Sequence, residues 1–210
     1  IMQLVRGVSL DWVIRKLRES SEPICSSEIR QMAAGDLTSK MAPAEDNVEH
    51  RKLSRDSWVV FAKIGVQVAQ AISHAHRHEV LHHDIKPANL LVGPGGKLWV
   101  GDFGLARLGG DAGLTLSGDL VGTLRYMSPE QALARHGLVD HRTDVYALGA
   151  TLYELLTLRP AFTGNDRQEL LQQIAFEEPR PLRQLNKEVP AELEIIVLKA
   201  LEKSPLERYA

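Results

Sequence analysis

Residues 76–104 read HRHEVLHHDIKPANLLVGPGGKLWVGDFG. Four histidines, His76, His78, His82 and His83, precede Asp84, Lys86 and Asn89, and three readings are open: a metal site made of imidazoles, a general-base site, or the polar end of a helix. The second half of the stretch bears on the choice. LLV at 90–92, the turn GPGG at 93–96 and KLWV at 97–100 predict a short hairpin. A two-stranded turn brings its ends together, so Asp102 is expected beside the loop from Asp84 to Asn89. A carboxylate, an amide oxygen and a second carboxylate converging there make a hard-oxygen site suited to magnesium, which completes its octahedron with phosphate and water. Lys86 adds positive charge where a transferred phosphoryl group would be negative. Asp84 is left free to receive a proton from a hydroxyl.

The histidines have a competing reading. His74 and His78 stand four apart on a helix and could share a zinc face with His82, but only Glu79 and Asp84 accompany them as further ligands. His76 and His78 read instead as solvent-facing or as caps of the helix end. Asp84 and Asp102 taken singly could be turn or cap residues, which aspartate favours. Their joint arrangement with Asn89 favours the phosphate-handling reading.

Upstream, Val60, Ile64, Val68, Ala71, Ile72 and Ala75 recur at 3 and 4 spacing after Trp58 and predict a long helix packed on a core. Residues 19–55 lose that periodicity, are polar, and are punctuated by Pro23, Gly35 and Pro43. They read as an insertion, mostly loop, with EIRQMAA as a helical turn or two, serving either as a docking element or as tolerated surface. Ser9 is placed to cap a helix whose apolar face is Leu10, Val13, Ile14 and Leu17. Downstream, residues 101–126 are glycine-rich and read as a long loop. TDVYALGATLYELLTL predicts an apolar helix through the domain centre, with Asp144 as a good N-cap, and RQELLQQIAF and ELEIIVLKALEK predict amphipathic helices. The chain is expected to stop within a helix at ERYA.

A chain of 210 residues can bury one substantial core. With 44% hydrophobic and 25% charged residues it has the composition of a soluble globular protein. A net charge of −2 gives no global pull toward nucleic acid or an anionic membrane. The single cysteine, Cys25, excludes an internal disulfide framework and fits a reducing, cytoplasmic compartment. No stretch reaches the about 18 to 20 uninterrupted apolar residues of a membrane span, because Glu154 breaks the richest run. IMQLVRGVSLDW lacks the pattern of a signal peptide and reads as the edge strand of something larger.

At this point the motifs resemble a family. HHDIKPAN (82–89), DFG (102–104) and SPE (128–130) resemble, in order, the catalytic loop, the metal-binding motif and the motif closing the activation segment of protein kinases. DIKPANLL, DFGLAR and GTLRYMSPEQA are most similar to the eukaryotic-like serine/threonine kinases of bacteria, and Lys86, two residues after Asp84, points to Ser/Thr over Tyr. The resemblance implies an α+β, protein-kinase-like fold, mainly α-helical, with a short β-hairpin at the catalytic site. It covers nearly the whole chain apart from residues 19–55. Residues 1–7 would be the end of the small lobe and the hinge, 8–210 the large lobe, 19–55 an insertion between its first two helices, and 102–130 the activation segment.

By the same resemblance Met2 is the gatekeeper, the Gln3 to Val5 backbone faces adenine, and Leu91 lies beneath the adenine ring. His82 and Phe103 belong to the hydrophobic stack linking the lobes, with Gly104 completing DFG. Gly122 and Thr123 lie by the substrate, Asp144 and Gly149 mark the central helix, and Arg208 pairs with Glu130. Asp84 and Lys86 would be catalytic, Asn89 and Asp102 would hold magnesium, with manganese as an alternative, and ATP would donate its γ-phosphoryl to a protein Ser or Thr. Thr115 and Ser117 are either autophosphorylation sites or plain hydroxyls in an exposed loop. Oligomeric state leaves no trace in the sequence.

Two departures matter. The family usually has arginine where His83 stands, and that arginine often grips a phosphorylated loop residue. Histidine is shorter and, with an ordinary pKa of about 6.5, mostly neutral at cytoplasmic pH. Control by loop phosphorylation is therefore in doubt. The glycine-rich loop, the strand lysine and the helix glutamate of the small lobe also have no counterpart upstream of Met2, so the chain alone is expected to be inactive. The competing functions are a catalytically incompetent kinase fragment used as a protein-interaction module, and a small-molecule phosphotransferase. The latter gives no reason for GT, SPE and DVYALG, which serve protein-substrate binding in the family.

Overall fold

The computed structural model describes residues 7–19, 57–103 and 119–210. Residues 20–55 of the expected insertion, with EIRQMAA and Cys25, lie outside the described residues. β1 (Val8–Ser9) runs directly into α1 (Leu10–Glu19). The Ser9 hydroxyl caps that helix by accepting from the Trp12 amide at 3.2 Å. The four apolar residues at helical spacing, Leu10, Val13, Ile14 and Leu17, are all buried.

β1 joins β2 (Leu90–Val92) and β3 (Leu98–Val100) in an antiparallel sheet of order β1-β2-β3. Val8 pairs with Val92 and Ser9 with Leu91, and Leu90, Leu91 and Val92 pair with Val100, Trp99 and Leu98. The β2–β3 connection turns at Gly95 and Gly96, both near φ +75°, in the left-handed region that side chains resist.

The core is built around α5 (His141–Thr157), reached through α2 (Ser57–His76), α3 (Asp119–Leu124) and α4 (Pro129–Ala132). Its residues from Thr143 to Leu156 are buried except Val145, as an almost wholly apolar helix should be. α2 packs on it through Val60, Phe61, Ile64, Val68 and Ile72. α6 (Arg167–Phe176), α7 (Leu182–Leu185) and α8 (Ala191–Ala200) follow. A smaller cluster of Leu124, Phe162, Leu170 and Ile174 lies beside the main core. Among the described residues, no helix is long and apolar enough to cross a membrane.

Three expectations are corrected. Part of the glycine-rich stretch is helical, since α3 occupies residues 119–124, where the lone Gly122 does not prevent a short turn of helix. The N-cap of α5 is Asp140, whose carboxylate accepts from the Arg142 amide at 2.8 Å, so Asp144 lies inside the first turn. The last residues do not continue a helix: a 3-10 turn, Pro205–Glu207, leads into extended backbone at Arg208.

Candidate active site

The loop after α2 is held from beneath by one carboxylate. Asp144 is fully buried, and its Oδ2 and Oδ1 accept the backbone amides of His82 at 2.9 Å and His83 at 2.7 Å. His76, in the last turn of α2, directs Nε2 at the same Oδ2 at 2.8 Å. This corrects the solvent-facing reading of His76: burial of Asp144 at the helix crossing demands donors, and the imidazole supplies one. His78 does end the helix, with Nδ1 donating to the His74 carbonyl at 2.8 Å. His83 has φ +64°, a conformation that residues with a Cβ rarely adopt and that the bond to Asp144 holds in place.

The buried His82 ring spends both nitrogens. Nε2 donates to the Gly101 carbonyl at 2.8 Å and Nδ1 accepts from the Asp84 amide at 3.3 Å, which describes one neutral tautomer. Its ring lies 4.5 Å from that of Phe103. With both nitrogens committed, His82 has no lone pair for a zinc face shared with His74 and His78.

Asp84, Lys86, Asn89 and Thr123 converge. Asn89 Nδ2 donates to the Asp84 carbonyl at 2.8 Å and to its Oδ2 at 2.9 Å. Lys86 Nζ reaches the same Oδ2 at 2.9 Å and the Thr123 hydroxyl at 3.3 Å. One carboxylate oxygen of Asp84 is thus held by two donors, and among the described residues no hydrogen bond or ion pair engages Oδ1. The Pro87–Asn89 turn that presents Asn89 runs into β2, and across the hairpin the Gly101 amide donates to the Asn89 carbonyl at 2.8 Å. Asp102, exposed and at φ +59°, comes next after Gly101, which brings it to the Asn89 end of the loop. Leu91, at the centre of β2, pairs with Ser9 and Trp99.

Farther out, Glu130 and Arg208 form a buried bidentate pair with both contacts at 2.8 Å. Thr143 Oγ1 also donates to Glu130 at 2.8 Å. Burial pushes the Glu130 carboxyl up, but the Arg208 guanidinium outweighs it and holds the group below the usual carboxylate range. Gly149 lies where α5 meets α8, with no room for a side chain.

A third buried carboxylate, in addition to Asp144 and Glu130, was not singled out from sequence. Glu154 in α5 accepts from the Tyr126 hydroxyl and from the Arg18 guanidinium, each at 2.5 Å, while Arg18 Nε donates to the Leu158 carbonyl at 2.8 Å. Burial, then the Glu154 charge, pushes the Tyr126 phenol far up. The available signal was the lone acid inside an apolar helix, since a buried carboxylate must find partners. Met2, Gln3, Val5, Gly104, Thr115 and Ser117 lie outside the described residues.

Comparison with known proteins places this geometry. The family model "Protein kinase domain" matches residues 29–210, a span that includes part of the expected insertion. A probable serine/threonine-protein kinase of Streptomyces coelicolor is 42% identical over 146 residues, 69% of this chain and 21% of the relative. Serine/threonine-protein kinase PknB of Mycobacterium tuberculosis is 42% identical over 142 residues, 67% of this chain and 22% of the relative. Serine/threonine-protein kinase PrkC of Bacillus subtilis is 41% identical over 144 residues, 68% of this chain and 22% of the relative. The chain therefore spans less than a quarter of the length of these relatives. The chain belongs to the protein kinase domain family, and is of the bacterial serine/threonine type.

Proposed function

We propose that the chain carries the catalytic lobe of a kinase that transfers the ATP γ-phosphoryl group to Ser or Thr of protein substrates. The observation that carries the reading is Asp84. Its Oδ2 is clamped by Asn89 and Lys86, and Lys86 also reaches Thr123, so an acceptor hydroxyl is taken to approach Asp84 through its other carboxylate oxygen. In the proposed step the hydroxyl oxygen bonds to the γ-phosphorus as the bond to the ADP oxygen breaks, and Asp84 takes the hydroxyl proton. Lys86 lies close enough to Asp84 to hold a phosphate oxygen in line. Such a loose transition state is stabilised mainly by positioning and charge.

The donor set fits magnesium. Asn89 turns its Nδ2 toward Asp84, which leaves its amide oxygen to join the Asp102 carboxylate as hard ligands, and manganese suits the same oxygens. When bound, the ion would neutralise charge on the β and γ phosphates. Residues 8–210 are proposed as the large lobe and 102–130 as its activation segment. Activity is further proposed to require a small lobe's glycine-rich loop and strand lysine, which no motif of this chain supplies.

The test is phosphorylation of a generic protein substrate by the full-length protein with ATP and magnesium. Asp84→Asn is expected to lower kcat by about 10²- to 10⁴-fold with an unchanged melting temperature. A variant as active as the parent would sink the reading. A folded parent that transfers nothing would leave the interaction-module alternative. The 210-residue chain alone is expected to turn over negligible ATP, and robust transfer by it would overturn the small-lobe requirement.

A further inference from the structure

We propose that Lys203 is a positioning residue for the acceptor side of the site, acting on Thr123 through the smaller buried cluster; this rests on the kinase reading above. Lys203 Nζ donates to the Ile174 carbonyl at 2.9 Å and reaches the Gln173 carbonyl at 3.5 Å. Both lie in the last turn of α6, where carbonyls run out of helical partners and a cation meets the negative end of the helix dipole. The same nitrogen stands 4.3 Å from the centre of the Phe162 ring, within reach of its negative face. Phe162 and Ile174 share the smaller cluster with Leu170 and Leu124. Leu124 follows Thr123, whose hydroxyl Lys86 Nζ reaches at 3.3 Å while it holds Asp84.

The main chain of Lys203 is tied to the same region by a second route. Its carbonyl accepts from Arg208 Nη2 at 3.1 Å, and Arg208 grips Glu130. Thr123 and Glu130 bound one short segment, so Lys203 meets the supports of both its ends: the head group through the cluster, the backbone through the ion pair. Packing alone does not call for an ammonium here. Burial pushes the Lys203 amine down to about 8, against the attraction of Glu178, Glu177 and Glu202. Methionine would fill the same space with no charge to desolvate. Lys203 touches none of Asp84, Lys86, Asn89 or Asp102 in any hydrogen bond or ion pair among the described residues, so its effect on chemistry passes through geometry.

The experiment compares Lys203→Met and Lys203→Arg in the full-length protein. Methionine keeps the bulk of the side chain and removes its charge and donors, whereas arginine keeps both and stacks on aromatic faces. The Met variant is expected to lose about 10-fold in kcat/KM for a generic protein substrate, carried mainly by a rise in KM, while KM for ATP stays within about threefold. Arg should bring kcat/KM back to within about threefold of the parent. Should the Met variant not fold, Lys203→Gln, with one donor group on a shorter stem and no charge, replaces it with the same expectation. Hydrogen exchange of the peptide spanning residues 121–128 gives a readout independent of activity: exchange should quicken in Met and return to the parental rate in Arg.

A parental kcat/KM in the Met variant, an equal loss in Met and Arg, or an equal rise in KM for ATP overturns the proposal. So does unchanged exchange across 121–128. If the parent transfers no phosphate, the kinase reading fails separately, and the exchange comparison still decides whether Lys203 positions this segment.

Discussion

Arg208 spends its whole guanidinium inside the fold. Two nitrogens grip Glu130, and the remaining donors reach the carbonyls of Glu202, Arg142 and Lys203 at 2.7, 3.1 and 3.1 Å. Both side chains of the pair are essentially inaccessible, so removing one charge strands the other. Arg208→Leu is expected to cost about 3 to 5 kcal/mol, read as a shift in denaturant midpoint. The pH dependence follows from Glu130, whose folded pKa is lowered. Its contribution is complete above the unfolded carboxylate value of about 4.3 and is lost as pH falls through the lower folded value. Melting temperature should therefore drop on that acid side, and Glu130→Gln should flatten the drop while lowering stability at neutral pH. The sequence made this pair legible only through resemblance, because 78 residues separate the partners and no local pattern links them.

At the scale of elements, periodicity was a good guide wherever one face of a helix is buried. The apolar sets of α1 and α2 were readable because water on one side and core on the other impose the 3.6-residue repeat. It misled at α5, which is buried all round: an aspartate before an apolar run looked like a cap, whereas Asp140 caps and Asp144 turns inward to the loop. The crossing of α5 and α8 depends on one missing side chain. A Cβ on Gly149 would stand 2.8 Å from the Ala200 Cβ and 3.3 Å from Leu201 Cγ. Ala200 has no longer side chain to swing aside, so the helices must separate. Gly149→Ala is expected to cost about 1 to 3 kcal/mol despite the better helix propensity of alanine, and urea denaturation would measure it.

Across the whole molecule, α5 is the beam to which the rest is tied. Its Asp144 holds the loop that carries Asp84, and Thr143 meets the carboxylate that Arg208 clamps. Glu154 ties α1 through Arg18, and the turn between α3 and α4 through Tyr126. Tyr126→Phe removes one of the two partners that this buried acid has among the described residues. It is expected to cost about 1.5 to 3 kcal/mol, as for a hydrogen bond to a charged group, and thermal unfolding would show it. Arg18 is substantially exposed, so its own contribution is screened and smaller. The sequence by itself determined the hairpin, the helices with one wet face, and the joint presence of Asp84, Lys86, Asn89 and Asp102, because period, turn chemistry and motif order are local properties of the chain. Only the tertiary structure decided which oxygen of Asp84 Lys86 and Asn89 hold, that His76 faces Asp144, and that Glu154 meets both Tyr126 and Arg18. Those facts depend on where separate helices cross and on the demand of a buried carboxylate for donors, which no short-range pattern encodes.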